Sequence, residues 1–191
     1  WRVLDEIEVK VLNIDKEEIQ KKLVKIGATL LKDEEQTNIR FDTEDKYLKN
    51  KYKGYLRIRI TKNNLTGETI NTLTLKKNIS RDEFRVNEEL ETEIFNVAEA
   101  IKILEALKYC PKAPGKKRRI SYIYEGILFE IDEWDKDIYP RPYLEIEVTK
   151  KSDLERAIEL LNIDRKNITA KSIDELIKEK WLKNKQILTN S

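Results

Sequence analysis

At 191 residues the chain is long enough for one sizeable core, and its 39% apolar content excludes a disordered chain. Another 39% is charged, yet 38 basic and 36 acidic residues leave a net charge of only +2, which removes bulk electrostatics as a reason to bind nucleic acid or an acidic membrane. With no histidine there is no histidine base or metal ligand, and the single cysteine, Cys110, allows no internal disulfide and fits a cytoplasmic setting.

No apolar run reaches the roughly 20 residues of a membrane helix, and no N-terminal signal pattern is present. In chain order, Glu6-Ile7-Glu8-Val9-Lys10 predicts a strand with Glu6, Glu8 and Lys10 on one face and Ile7, Val9 and Val11 on the other. Asp15, with Glu18 in the capping-box position, starts a helix whose stripe is Ile19, Leu23 and Ile26 and whose stop is Gly27. Residues 36–42 predict a strand and 43–53 a lysine-rich loop. Strands over 55–61 and 70–76 flank a turn at 63–67, and another strand covers 85–94. Asn96 caps a second helix with Val97, Ile101, Leu104 and Leu107 on its apolar side. Pro111, Pro114 and Gly115 then break the pattern. Residues 116–124 and 127–132 form a hairpin around Glu125-Gly126, and 143–149 is the last strand, after a proline-bearing loop at 139–142. Ser152 and Ser172, each with a glutamate three residues on, cap two further helices. The expectation is one α+β domain over 1–191 with about eight antiparallel strands and four helices.

Seven of these strands separate an ionic face from an apolar one. Arg57 and Arg59 oppose Leu56, Ile58 and Ile60; Lys76 closes a face of threonines; Glu89, Glu91 and Glu93 oppose Leu90 and Ile94. Lys117 and Arg119, Glu130 and Asp132, and Glu145 and Glu147 follow the same rule. The helices carry single apolar stripes, so the economical arrangement packs them on the apolar sheet face. The ionic faces then look into bulk water or, in a closed barrel, at each other. A flat sheet with ion-pair ladders would mix signs along a strand, whereas each strand here keeps nearly one sign. An interior of nine acids and six bases must hold water, metal or an ionic ligand, because dry burial costs several kcal/mol per charge. Paired carboxylates suit Mg²⁺ or Mn²⁺, and paired arginines suit phosphate.

In this order, the E-x-E-x-K strand, the R-x-R strand, the lysine at 76, the acidic strand at 88–93, the K-x-R strand, Glu130-Ile131-Asp132 and the closing Glu145-Ile146-Glu147 resemble the CYTH superfamily, the triphosphate tunnel metalloenzymes. The wording is most similar to the class IV adenylate cyclase-like branch. The resemblance implies an eight-stranded antiparallel tunnel with helices outside. It implies that Lys10, Arg57, Arg59, Lys76, Lys117 and Arg119 bind triphosphate. Glu6, Glu8, Asp132, Glu145 and Glu147 would serve the metal, Mg²⁺ or Mn²⁺, with Glu89, Glu91 and Glu130 in support. Homodimers are common in the family. Two stretches depart from its pattern: Arg40 stands before Phe41-Asp42 where members often have tyrosine, and residues 134–142 lack a glycine-flanked turn.

Three functions compete. The first is metal-dependent hydrolysis of tripolyphosphate or a nucleoside triphosphate, with Glu8 or Glu147 handling the water and Lys10 the phosphate. The second is an adenylate cyclase releasing cyclic AMP and pyrophosphate. The third is a non-catalytic polyphosphate-binding barrel. Neither a nucleic-acid nor a membrane partner is expected. Lys116-Lys117-Arg118-Arg119 reads as tunnel plus surface rather than a targeting run, Trp134 as a packing or mouth residue, and Cys110 as a buried filler. The helix bearing Trp181 is a candidate either for closing one tunnel end or for a dimer contact.

Overall fold

The computed structural model describes residues 6–81 and 85–189, with side chains over 7–80 and 86–182. Eight strands close into an antiparallel barrel: β1 (Glu6–Val11), β2 (Thr29–Asp42), β3 (Tyr55–Asn63), β4 (Thr69–Arg81), β5 (Arg85–Glu93), β7 (Gly115–Tyr124), β8 (Ile127–Trp134) and β9 (Tyr143–Val148). Two-residue strands β6 (Cys110–Pro111) and β10 (Ile168–Thr169) add to β2 and β1. Around the ring the order is β1, β5, β4, β3, β2, β7, β8, β9, and pairing of β9 back to β1 through Val9 opposite Ile146 closes it.

Closure explains the alternation. Apolar residues of each strand face outward, where the helices α1 (Lys16–Lys25), α3 (Val97–Ala106) and α4 (Lys151–Leu160) cover them. Ile19 and Leu23 of α1 and Leu154, Ala157 and Ile158 of α4 pack on Val9, Phe129, Ile131, Leu144 and Ile146. Leu104 of α3 packs with Phe41 and Ile58. Helix α5 (Ile173–Thr189) begins across one end of the barrel, where Ile173 packs with Trp134 and Tyr143. The β7–β8 hairpin turns at Glu125 and Gly126, both at positive φ (48° and 81°), as a twisted two-residue hairpin requires.

The caps at Asp15, Asn96 and Ser172 form as expected; Ser172 Oγ accepts from the Glu175 N–H while the Glu175 carboxylate accepts from the Ser172 N–H. Four expectations need correction. The 43–53 loop contains a fifth helix, α2 (Tyr47–Tyr52), because the buried Asp42 carboxylate accepts from the Leu48 and Lys49 N–H groups. The second strand starts at Thr29 rather than 36, since a register shift between Leu30 and Lys32 breaks the alternation that would reveal it. Ser152 is not the cap of α4; Lys150 holds that position without a side-chain bond, and Ser152 falls in the first turn. Cys110 is exposed, not buried, because its short strand meets only the end of β2.

Asp42 is 4% exposed and also accepts from the Thr43 N–H, so Asp42→Ala strands three backbone donors. The expected loss is about 1–3 kcal/mol, read as a lower urea midpoint at unchanged slope.

Candidate functional site

Inside the ring lies a cavity of about 210 Å³. The strand order sorts its charges into two arcs. Adjacent strands β3, β2 and β7 supply Arg57 and Arg59, Arg40, and Lys117 and Arg119. Opposite them, β8, β9, β1 and β5 supply Glu130, Glu145, Glu147, Glu8, Glu89 and Glu91, with Lys10 of β1 among them and Lys76 of β4 beside them.

Most of these charges neutralise each other. Lys10 pairs with Glu8 and, at 2.8 Å, with Glu145. Lys76 reaches Glu89 at 2.5 Å and Glu8 at 3.4 Å. Asp132, fully buried, accepts from Lys117 at 2.5 Å and from Arg119 Nε and one terminal nitrogen at 2.6 and 2.7 Å. Arg119 also meets Glu130, and Glu145 at 2.6 Å. A chain of hydrogen bonds ties this knot to the tunnel mouth: the Trp134 N–H donates to the Tyr143 hydroxyl, which donates to Asp132.

Within the basic arc, Arg57 and Arg59 are less fully compensated. Arg57 approaches Glu91 and Glu89 only to 3.9 and 4.0 Å, and its buried Nε has no hydrogen-bond partner among the described residues. Arg59 donates to Asn38 Oδ1 at 2.9 Å and makes no ion pair with a carboxylate among the described residues. Burial, then Arg57 and Arg119, lower its pKa to about 10. Burial and Arg119 lower Lys117 to about 8, against the pull of Asp132. Tyr55 falls to about 8 because Arg57, Lys76 and Arg40 outweigh its burial. For Arg59 and Lys117 the cost of burying a cation leads and neighbouring arginines add to it; for Tyr55 the neighbouring cations alone lower the value.

The acidic arc shows the converse. One oxygen each of Glu130, Glu145 and Glu147 lie within 4.8 Å of one another. Burial raises the Glu130 pKa, and Asp132 and Glu145 add to that against Arg119. Burial pushes Glu145 up as well, but Lys10 and Arg119 hold it well below the usual carboxylate range. Three convergent hard oxygen donors suit Mg²⁺ or Mn²⁺.

Of the residues expected here from sequence, the cavity wall holds Lys10, Arg57, Arg59, Lys76, Lys117 and Arg119, and Glu8, Glu89, Glu91, Glu130, Glu145 and Glu147. Glu130, expected only in support, joins the carboxylate trio, while Glu8 lies between two lysines and Asp132 sits behind the wall in its ion pairs. Glu93 is exposed at its strand's end, and the Glu6 side chain lies outside the described residues. Arg40, where the sequence departs from the family pattern, also lines the cavity, together with Asn38, Tyr55 and Tyr143. The signal for β2 was weak because Glu35 and Thr37 make its outer face polar too, so alternation gives no contrast.

No curated protein matches the chain. Among solved structures it is similar to the PH1819 protein of Pyrococcus horikoshii, with 24% identity, TM-score 0.75, and 92% of this chain covering 99% of that one. The PH1012 protein of the same organism shares 26% identity at TM-score 0.72, over 90% of this chain and 98% of its own. HpAC1 from Hippeastrum, an adenylyl cyclase candidate with a dominant triphosphatase activity, matches at 18% identity and TM-score 0.67 over 92% and 95%. The model of the CYTH domain matches residues 4–173, and the chain therefore belongs to the CYTH domain family.

Proposed function

We propose that the tunnel binds a triphosphate and, with a divalent cation, hydrolyses its terminal phosphoanhydride. The observation that carries this reading is the sorting of charge within one cavity: loosely partnered Arg57 and Arg59 face three convergent carboxylates. A polyphosphate chelating a divalent ion is the ligand class that satisfies both walls at once. The triphosphatase activity of HpAC1 supports the reading.

Arg57, Arg59 and Lys117 hold phosphate oxygens by charge-assisted hydrogen bonds. Lys10, Lys76 and Arg119 exchange their carboxylate partners for phosphate as the ligand enters. Glu8 and Asp132 keep these cations aimed inward until then. Glu130, Glu145 and Glu147 would hold Mg²⁺ or Mn²⁺, which supplies charge neutralisation at the phosphoryl group and polarises water. Glu147, half-buried, orients the attacking water and accepts its proton, which replaces the histidine base this chain lacks. A new bond joins the water oxygen to terminal phosphorus, and the bridging P–O bond breaks, leaving inorganic phosphate and the diphosphate.

Incubation with tripolyphosphate or ATP and Mg²⁺ or Mn²⁺ is expected to release inorganic phosphate, and EDTA to stop it. Cyclic AMP and pyrophosphate as the products from ATP would replace hydrolysis with cyclisation, and tight metal-free binding without turnover would leave a binding barrel.

Arg57→Ala is expected to lower turnover about 10²–10³-fold with an unchanged circular dichroism spectrum. Glu147→Gln should lower kcat about 10²-fold or more and change tripolyphosphate affinity little.

Lys117 titrates near 8 without ligand, and a phosphate beside it favours the ammonium. Binding above pH 8 is therefore expected to take up protons and to weaken as pH rises. Calorimetry in buffers of different ionisation enthalpy measures the uptake, which Lys117→Met should remove.

A further inference from the structure

Arg57 and Arg119 both line the tunnel from basic strands, yet they are held differently. Arg119 stands opposite Asp132 across the β7–β8 pair and donates two hydrogen bonds to it, at 2.6 and 2.7 Å. Arg57 comes no nearer than 3.9 Å to a carboxylate among the described residues. Strand order accounts for the difference. Basic β7 adjoins acidic β8, whereas β4 separates basic β3 from acidic β5. The register puts Arg57 opposite Thr74 and Thr74 opposite Glu91. Two residues along, Arg59 stands opposite Thr72 and Thr72 opposite Glu93. Each arginine of the R-x-R pair thus has a threonine between it and a glutamate.

Thr74 is 0% exposed, while Arg57, Glu89 and Glu91 reach the cavity in front of it. Its hydroxyl accepts from an Arg57 terminal nitrogen at 3.3 Å and donates to Glu91 at 2.6 Å. A guanidinium only donates and an ionised carboxylate only accepts, so the single hydroxyl proton is committed to Glu91. The hydroxyl therefore stands as a wedge inside an ion pair. Without it, Arg57 and Glu91 need to approach by only about 1 Å to reach the roughly 2.8 Å of a direct charge-assisted hydrogen bond. Two long side chains, one of them 47% exposed, have that freedom. Valine would keep the β-branched shape that suits the strand, but it neither accepts from Arg57 nor donates to Glu91.

We infer that Thr74 is a positioning residue for Arg57: its hydroxyl occupies the Glu91 carboxylate, so that the guanidinium stays available to a phosphate. Thr74 does this from behind the wall and does not touch the ligand. This role rests on the triphosphate reading of the tunnel. Loss of the hydroxyl lets Arg57 close on Glu91, and an entering phosphate then has to break that pair. The cost falls equally on bound substrate and transition state, because Arg57 has already turned to phosphate in both. Binding weakens, and the rate at saturation does not change.

The test measures tripolyphosphate binding to the full chain by calorimetry at one fixed Mg²⁺ concentration, together with turnover. Thr74→Val is expected to raise Kd and KM about tenfold and to keep kcat within about twofold. Thr74→Ser retains the hydroxyl and should keep the wild-type Kd within about twofold. In a Glu91→Gln background, Thr74→Val should change Kd less than about twofold, because the carboxylate that captures Arg57 is gone. Thr74→Ala also lacks the hydroxyl and serves if the valine variant does not fold. A wild-type Kd in the variant without the hydroxyl overturns the role. So does an equal loss in Thr74→Ser, the same loss in the Glu91→Gln background, or a fall in kcat at unchanged KM. Failure of both variants without the hydroxyl to fold makes Thr74 a structural residue and overturns it too. Each of these results leaves the triphosphate tunnel standing. Failure of the wild type to bind tripolyphosphate overturns the tunnel reading and this role with it.

Discussion

The pairing of β9 with β1 is the constraint on which the interior depends. Once the ring closes, a side chain on the inner face has no route back to bulk water except along the tunnel. Charges that would be harmless on an open sheet become buried, and each costs several kcal/mol unless met by a partner. The chain meets them across strands: Lys10 of β1 with Glu145 of β9, Arg119 of β7 with Asp132 of β8, and Lys76 of β4 with Glu89 of β5. Closure thus turns a set of solvated strands into a self-neutralising lattice.

That lattice is incomplete in a directed way. Neutralisation is nearly finished where acidic and basic strands adjoin and poorest on β3, whose neighbours β2 and β4 offer Asn38 and Thr74 rather than carboxylates. Arg57 and Arg59 consequently face the cavity with loose partners, while three glutamates crowd on the other side. An even distribution of pairs would stabilise the empty barrel more but leave nothing for a ligand to gain. On the proposed function, ligand binding and stability pull against each other at the same residues, and the packing of α1, α3 and α4 outside stabilises the barrel independently of them.

Much of this was legible in sequence because a strand's period of two makes face assignment nearly mechanical when one face is ionic and the other aliphatic. Tyr55-Leu56-Arg57-Ile58-Arg59 and Leu144-Glu145-Ile146-Glu147 leave little choice. Where contrast failed, so did the reading. On β2 the outward Glu35 and Thr37 masked the inward Gln36, Asn38 and Arg40, and a bulge hid the strand's first half. Helix α2 was invisible because its N–H groups are satisfied by Asp42, from outside the helix. Which carboxylates converge was likewise unreadable: the register places Glu130 opposite Glu145, while spacing within a strand says nothing about its neighbour.

Helix α5 joins these levels. Its capping box at Ser172 and Glu175 fixes the first turn at the tunnel end, which places Ile173 against Trp134 and Tyr143 and Asp174 on Arg40. Trp134 is bound through Tyr143 to Asp132, and Asp132 to Lys117 and Arg119. The α5 turn is therefore linked to Lys117 and Arg119 through only a few well-packed side chains. Tyr143 is the connecting atom set, and its pKa is raised well above the ordinary tyrosine value by burial and by Asp132, so it remains a donor to that carboxylate. The end of the tunnel and its charged centre are in this sense one hydrogen-bonded unit.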